Sequence, residues 1–284
     1  MSYILTFKNA RGEQIAFGAG GSYTLKNLTG IGANDVQPQT DKAFGQQGVY
    51  FFGMTEDPRI IAHDATIIAD SEADLEAKRL EVARISNPSL GLGQIILNTG
   101  LNKYQIGAAV TLKPDPQPMN NQYSEEFSIA YFCPKPDFLS FTPTTIKMVD
   151  FVGGLMFPLV FPIEFAERGM GATINYEGNN PASVMIDLRG PAVNPIIENK
   201  TTGLVIRTKN LELAEGEKLL IDTNPDAPSV MIADSDGMIT NAWNHLKFGS
   251  VFWALECGEN VLGFSADSGT PECYLTYYTH YAGI

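Results

Sequence analysis

From Tyr176 to Asn224 short apolar runs are broken by turn residues about every eight to twelve positions, the rhythm of antiparallel strands stacked into a sandwich. Nearer the start, Tyr3–Phe7 and Gln14–Phe17 predict two strands joined across Asn9–Gly12 as a hairpin. Alternation and β-branched residues predict more strand between Val49 and Ile68, clearest at Arg59–Ile61 and Ala65–Ala69, and again over Gly93–Asn98, Tyr104–Leu112 and Glu126–Cys133. One segment has a helical period instead. Ser71 begins it, Asp74 follows three residues later in a capping-box spacing, and acidic residues crowd the first turns. Leu75, Arg79, Val82 and Ile85 mark one stripe, with Leu80 also available to it, and Asn87-Pro88 ends the helix.

Between Ser22 and Gln47 the residues turn to Gly, Asn, Gln and Asp with scattered Leu and Ile, which predicts an extended arm or loop. The prolines at 134, 136 and 143 withhold N–H donors from any continuing sheet and place a domain boundary near Phe138–Thr145. The expected architecture is mainly β. Residues 1–140 form a β-rich domain with one helix (about 71–86) and an arm (about 22–47), and residues 145–284 form an antiparallel β-sandwich.

A chain of 284 residues with 44% hydrophobic and 18% charged content has core enough to fold without staples. Its formal net charge is −13, about −9 of it in the second half, so a nonspecific grip on phosphate is not expected, whereas an acidic wall would let DNA pass without sticking. Cys133, Cys257 and Cys273 are an odd count with no close pair, which argues for reduced thiols and against a disulfide framework or zinc site. The N-terminus turns polar too soon for a signal peptide. Phe151–Phe165, the most apolar stretch, is too short for a bilayer span and carries two internal prolines and a glutamate, so a soluble protein made in a cytoplasm is expected.

Catalytic chemistry finds no constellation. His63 beside Asp64, His245 after Asn244 and His280 between Thr279 and Tyr281 form no constellation of nucleophile and second base at hydrogen-bond reach, and a surface or core role is favoured for each. Nucleophile-elbow, P-loop, zincin and dinucleotide motifs are missing, and the glycines at 18–21 are not followed by a helix. Asp234-Ser-Asp236-Gly237 resembles the start of a calcium loop but lacks its later ligands, which favours a hairpin turn. Trp243 and Trp253, with Tyr274, Tyr277, Tyr278 and Tyr281, read first as packing and second as a sugar platform. No cofactor, metal or enzymatic activity is expected.

The order of several structural motifs carries a resemblance. Val184 and Ile186 before Gly190-Pro191, then Asn194-Pro195, Ile197, Asn199, Thr202-Gly203, Leu211, Gly216-Glu217, Leu219 and Ile221-Asp222-Thr223 resemble the C-terminal domain of the distal tail proteins of long, flexible-tailed bacteriophages. Ser250–Leu255, Gly258-Glu259-Asn260 with Leu262, and Tyr277–Ile284 extend it. Pro58-Arg59-Ile60, the helix, Asn87-Pro88 and the stretch Phe127–Pro136 carry it through the first half. The resemblance implies a galectin-like or carbohydrate-binding-module-like second domain and a structural virion protein at the distal end of the tail. It further implies a homo-hexameric ring formed by the first domains, a hub between the major tail tube protein and the tail-tip or baseplate proteins, and a channel for DNA. Receptor-binding or accessory baseplate proteins are further implied partners. A ring of heterologous contacts needs complementary faces and often an arm, for which 22–47 is the candidate. Phe44, Tyr50, Phe51 and Phe52 at its root either join the ring interface or fill their own core. The alternative function is a glycan-binding adhesion module acting through the sandwich around Trp243 or Trp253.

Overall fold

The protein is described from a computed structural model covering residues 3–32, 34–119, 123–148, 150–152, 167–169 and 171–284. The chain divides into two compact units, one comprising Met1–Phe141 with Tyr281–Ile284, the other Thr142–His280.

The first unit is organised around a ten-stranded sheet whose main path runs Gln14–Phe17, Ile4–Lys8, Gly93–Asn98, Lys103–Leu112, Ser124–Cys133, Arg59–Ile68 and Tyr23–Thr29, with antiparallel neighbours. Period-two burial explains why these residues become strands. Phe127, Ile129, Tyr131 and Cys133 point inward from one strand, and Ile61, His63, Ala65 and Ile67 point inward from its neighbour. The two ends of the path meet at Gly18, whose N–H donates to the Tyr23 carbonyl at 3.1 Å and whose carbonyl accepts from Leu25 N at 3.3 Å, so the sheet curls toward closure.

Helix α1 (Glu72–Ile85) lies against this sheet. Ser71 caps it by accepting from Asp74 N at 3.2 Å, while the Asp74 carboxylate accepts from Asp70 N at 3.0 Å. Of the expected stripe Leu75, Val82 and Ile85 are buried, but Leu80 is 64% exposed and does not join it. Polar contacts replace the missing apolar ones: Arg79 grips the buried Glu125 carboxylate, Tyr23 OH donates to Glu81, and Arg84 pairs with Glu13.

The segment expected as an arm, 22–47, divides in two. Tyr23–Thr29 is a paired strand of the main sheet, held by ten-residue Arg59–Ile68. Only the later part forms a separate element, in which Val36–Asp41 pairs with Tyr50–Glu56. The second domain, expected to run to 284, gives up its last four residues to the first unit. Ile284 N donates to Ile31 O at 3.0 Å, and Arg59 donates to the Ala282 carbonyl.

The second unit is an antiparallel sandwich. One sheet runs Thr144–Lys147, Glu272–Tyr277, Ala182–Arg189, Lys218–Asp222, Ser229–Ala233 and Ile239–Asn241, and the other runs Gly171–Tyr176, Gly258–Ser265, Ile196–Asn199 and Leu204–Arg207. Val184, Ile186, Leu219, Ile221 and Leu275 of the first share one core with Ile174, Ile197, Ile206, Leu262 and Phe264 of the second. Within it Asn199 and Asn260 are fully buried and fully engaged: Asn260 Nδ2 donates to Glu256 O at 2.7 Å, and Asn199 Oδ1 accepts from Thr201 N at 3.0 Å. Among the described residues no helix is long and apolar enough to cross a membrane. The stretch 151–165, apart from the backbone of its first two residues, lies outside the described residues.

Candidate functional site

The candidate site is the two-stranded hairpin 36–56. Asn34, Gln37 and Asp57 tie its base together, with Asn34 Nδ2 donating to Asp57 O at 2.7 Å, Gln37 Nε2 donating to the Asp57 carboxylate at 3.0 Å and Asp57 N donating to Asp35 O at 3.0 Å. Cross-strand pairing runs from Val36 opposite Glu56 to Gln39 opposite Gly53, then slips so that Thr40 faces Phe51. Phe52 is therefore the extra residue of a bulge, which lets three consecutive aromatics spread over both faces. Tyr50, Phe51 and Phe52 are 59%, 61% and 72% exposed, and Phe44 in the connecting loop is fully exposed. Val36, Val49 and Met54 of the same hairpin are exposed as well.

Of the two fates open to Phe44, Tyr50, Phe51 and Phe52, filling the core of their own unit is not the one they take: all four are solvent-facing and none belongs to its apolar cluster. Val36, Val49 and Met54 were missed in the sequence. For Val49 and Met54 the signal was the run of apolar residues from Val49 to Phe52 without a polar partner, whereas Val36, alone among polar residues, carried none.

The chemical candidates are scattered. His63 is buried between Phe17 and Tyr131, with Nε2 3.3 Å from the Tyr131 hydroxyl, and burial lowers its pKa to about 4. His245 ends a short turn beside the Lys209 carbonyl, and His280 lies in the segment whose N–H donates to Tyr176 OH at 2.8 Å. These three sit on separate elements. Asp234 spends its carboxylate on its own turn, accepting from Asp236 N at 3.0 Å and Met238 N at 2.8 Å around Gly237. Among the described residues no cluster of three or more His, Cys, Asp or Glu could hold a metal ion. Trp253 is only 3% exposed and belongs to the sandwich core, and Trp243 packs edge-on against Phe252. Cys133 and Cys273 are buried, which pushes both thiols up to about 12, whereas Cys257 is exposed.

The chain matches known families in both halves. Residues 14–133 match the phage tail protein RIFT-related domain, and residues 177–281 match the siphovirus-type tail component, C-terminal domain. The chain belongs to the distal tail protein family of siphovirus-type phages. A distal tail protein is a structural component of the phage tail, and the hairpin lies within the first matched region. The fold of this distal tail protein is similar to the crystal structure of the SPP1 Dit (gp 19.1) protein, described as a paradigm of the hub adsorption apparatus in phages that infect Gram-positive hosts, over 98% of each chain with a TM-score of 0.69 and 9% identity. It is also similar to chains of the phage P2 baseplate in its activated conformation with Ca and with Sr, over 100% of each chain with a TM-score of 0.54 and 9% identity. At that identity the likeness is one of fold. No curated protein matches this distal tail protein by sequence.

Proposed function

We propose that this distal tail protein is a non-enzymatic hub, six copies of which form a ring joining the tail tube to the tail-tip or baseplate proteins around a channel for DNA. The observation that carries the reading is the hairpin 36–56, whose aromatics stay exposed among the described residues of their own unit. Two strands alone are marginal in water, and this many exposed apolar side chains on them call for a partner. A neighbouring copy supplies one at every position of a closed ring, because a heterologous contact repeats until the rotation closes. In this reading the first unit forms the ring, with Phe44, Tyr50, Phe51 and Phe52 at the contact. The sandwich, with most of the net charge, stands available to receptor-binding or accessory proteins. The protein is made in the host cytoplasm and works in the virion.

The adhesion reading has less support. It needs an exposed aromatic platform, yet Trp253 is buried, and Trp243, 39% exposed, stands alone with its edge contact to Phe252 and not in a row of exposed rings.

The test is light scattering over a concentration series with negative-stain images of any large species. Six-fold rings that vanish in a Phe51→Ser/Phe52→Ser variant are expected; rings unaffected by that double change would remove the hairpin from the interface.

A further inference from the structure

Arg59 is fully buried, and main-chain carbonyls hold its guanidinium. Nε donates to Pro136 O at 2.6 Å, Nη1 to Gly30 O at 2.9 Å and Gly32 O at 3.0 Å, and Nη2 to Ala282 O, while the Phe138 ring lies 5.1 Å away. A planar fork of this kind fixes the direction of every acceptor it binds, and a buried cation tolerates the loss of an acceptor poorly.

The acceptors come from three places in the chain. Residues 30 and 32 lead directly into the hairpin 36–56, Pro136 precedes the passage to the second unit, and Ala282 follows the return from it. Close packing seals the junction. Gly30 has φ +80°, and a Cβ there would lie 2.0 Å from Ile60 O; a Cβ at Gly283 would lie 2.6 Å from Gly32 O. At Gly283 the segment 281–284 therefore runs against Gly32 with no room for a side chain between them, and Ile284 N closes the contact on Ile31 O.

We propose that residues 281–284 are a latch on the hairpin: the Ala282 carbonyl completes the acceptor set of Arg59, and only then is the 30–32 loop fixed, and with it the direction in which the hairpin leaves the sheet. These four residues follow the whole second unit along the chain. A nascent chain thus keeps its hairpin unaligned until the second unit has been synthesised, which delays association through the aromatics. The delay rests on the ring reading; the latch itself does not.

The test compares the unaltered chain with Gly283→Val, which pushes the segment off Gly32, and with Arg59→Lys, which keeps the charge and loses the fork. Amide exchange is read at concentrations too low for association, and light scattering is read above them. In both variants the hairpin ladder and Asp57 N–H exchange at least about ten-fold faster, while the strand Ser124–Cys133 keeps its protection and rings become scarcer. Hairpin exchange equal to that of the unaltered chain overturns the latch. So does a loss of protection in Ser124–Cys133 along with the hairpin, since the segment would then support the whole unit. Loosened hairpins with undiminished rings overturn the assembly delay, whereas loosened hairpins in a protein whose unaltered chain never forms rings leave the latch standing and remove the ring reading.

Discussion

Two hairpins of this protein share an antiparallel build and bury their residues in opposite ways. In the sandwich, Lys218–Asp222 pairs with Ser229–Ala233, and Leu219, Ile221 and Val230 all point into one core while their neighbours point outward. In the first unit, Val36–Asp41 pairs with Tyr50–Glu56, and the residues of both strands stay exposed except Gly53. The difference lies in content as well as order: one hairpin is mostly aliphatic on both strands, and the other sets a polar strand against an aromatic one. Alternating apolar positions supply one face that a single chain can cover, whereas three consecutive aromatics spread over a bulge supply two faces that it cannot. The first pattern stabilises a fold, and the second leaves apolar side chains in water, which is the premise of the proposed ring contact.

That contrast can be pressed by substitution and by pH. Leu219→Ala empties a fully buried site and is expected to cost about 2–5 kcal/mol in denaturant unfolding; a loss below about 1 kcal/mol would mean the sandwich hairpin is less committed to its core than its burial indicates. Acid acts on the unit that bears the other hairpin. His63 is neutral when buried and protonates only near pH 4, whereas the unfolded chain takes up its proton near 6.5, so its contribution is complete above about pH 6.5 and is lost as pH falls toward 4. The loss reaches about 3 kcal/mol, and thermal melts of His63→Phe should show a flatter dependence across that window. A variant as acid-sensitive as the original would assign the effect to other groups. Leu80→Ser on the outer side of α1 and Phe52→Ser on the bare hairpin should each change unfolding by no more than about 0.5 kcal/mol. Phe52→Ser should nevertheless weaken self-association. If it destabilised the isolated chain by more than about 1.5 kcal/mol, Phe52 would have to be packed within its own unit after all.

The sequence disclosed what depends on neighbours along the chain and concealed what depends on distant backbone. The cap of α1 was legible because Ser71 and Asp74 are local partners. The position of Leu80 was not, since helix spacing alone does not reveal that Arg79 and Glu81 would find partners on two strands and Arg84 one in the turn before a third. Tyr23–Thr29 looked like part of an arm because it lacks alternation: its residues are partly exposed throughout, and its pairing comes from Arg59–Ile68, far along the chain. The return of residues 281–284 to the first unit leaves even less trace, because the carbonyls that Arg59 binds are present at every residue type. The bare hairpin was half legible. Its aromatics were visible as a group, but burial or exposure turned on whether a covering surface existed within the same unit.

The thiols have a practical consequence for counting subunits. With Cys133 and Cys273 sealed in two separate cores and held as unreactive thiols, a maleimide dye reaches one position per chain, Cys257 on the sandwich. Each particle then carries as many dyes as copies, so the number of photobleaching steps from a single immobilised particle reads its stoichiometry directly, without averaging and without symmetry imposed on an image.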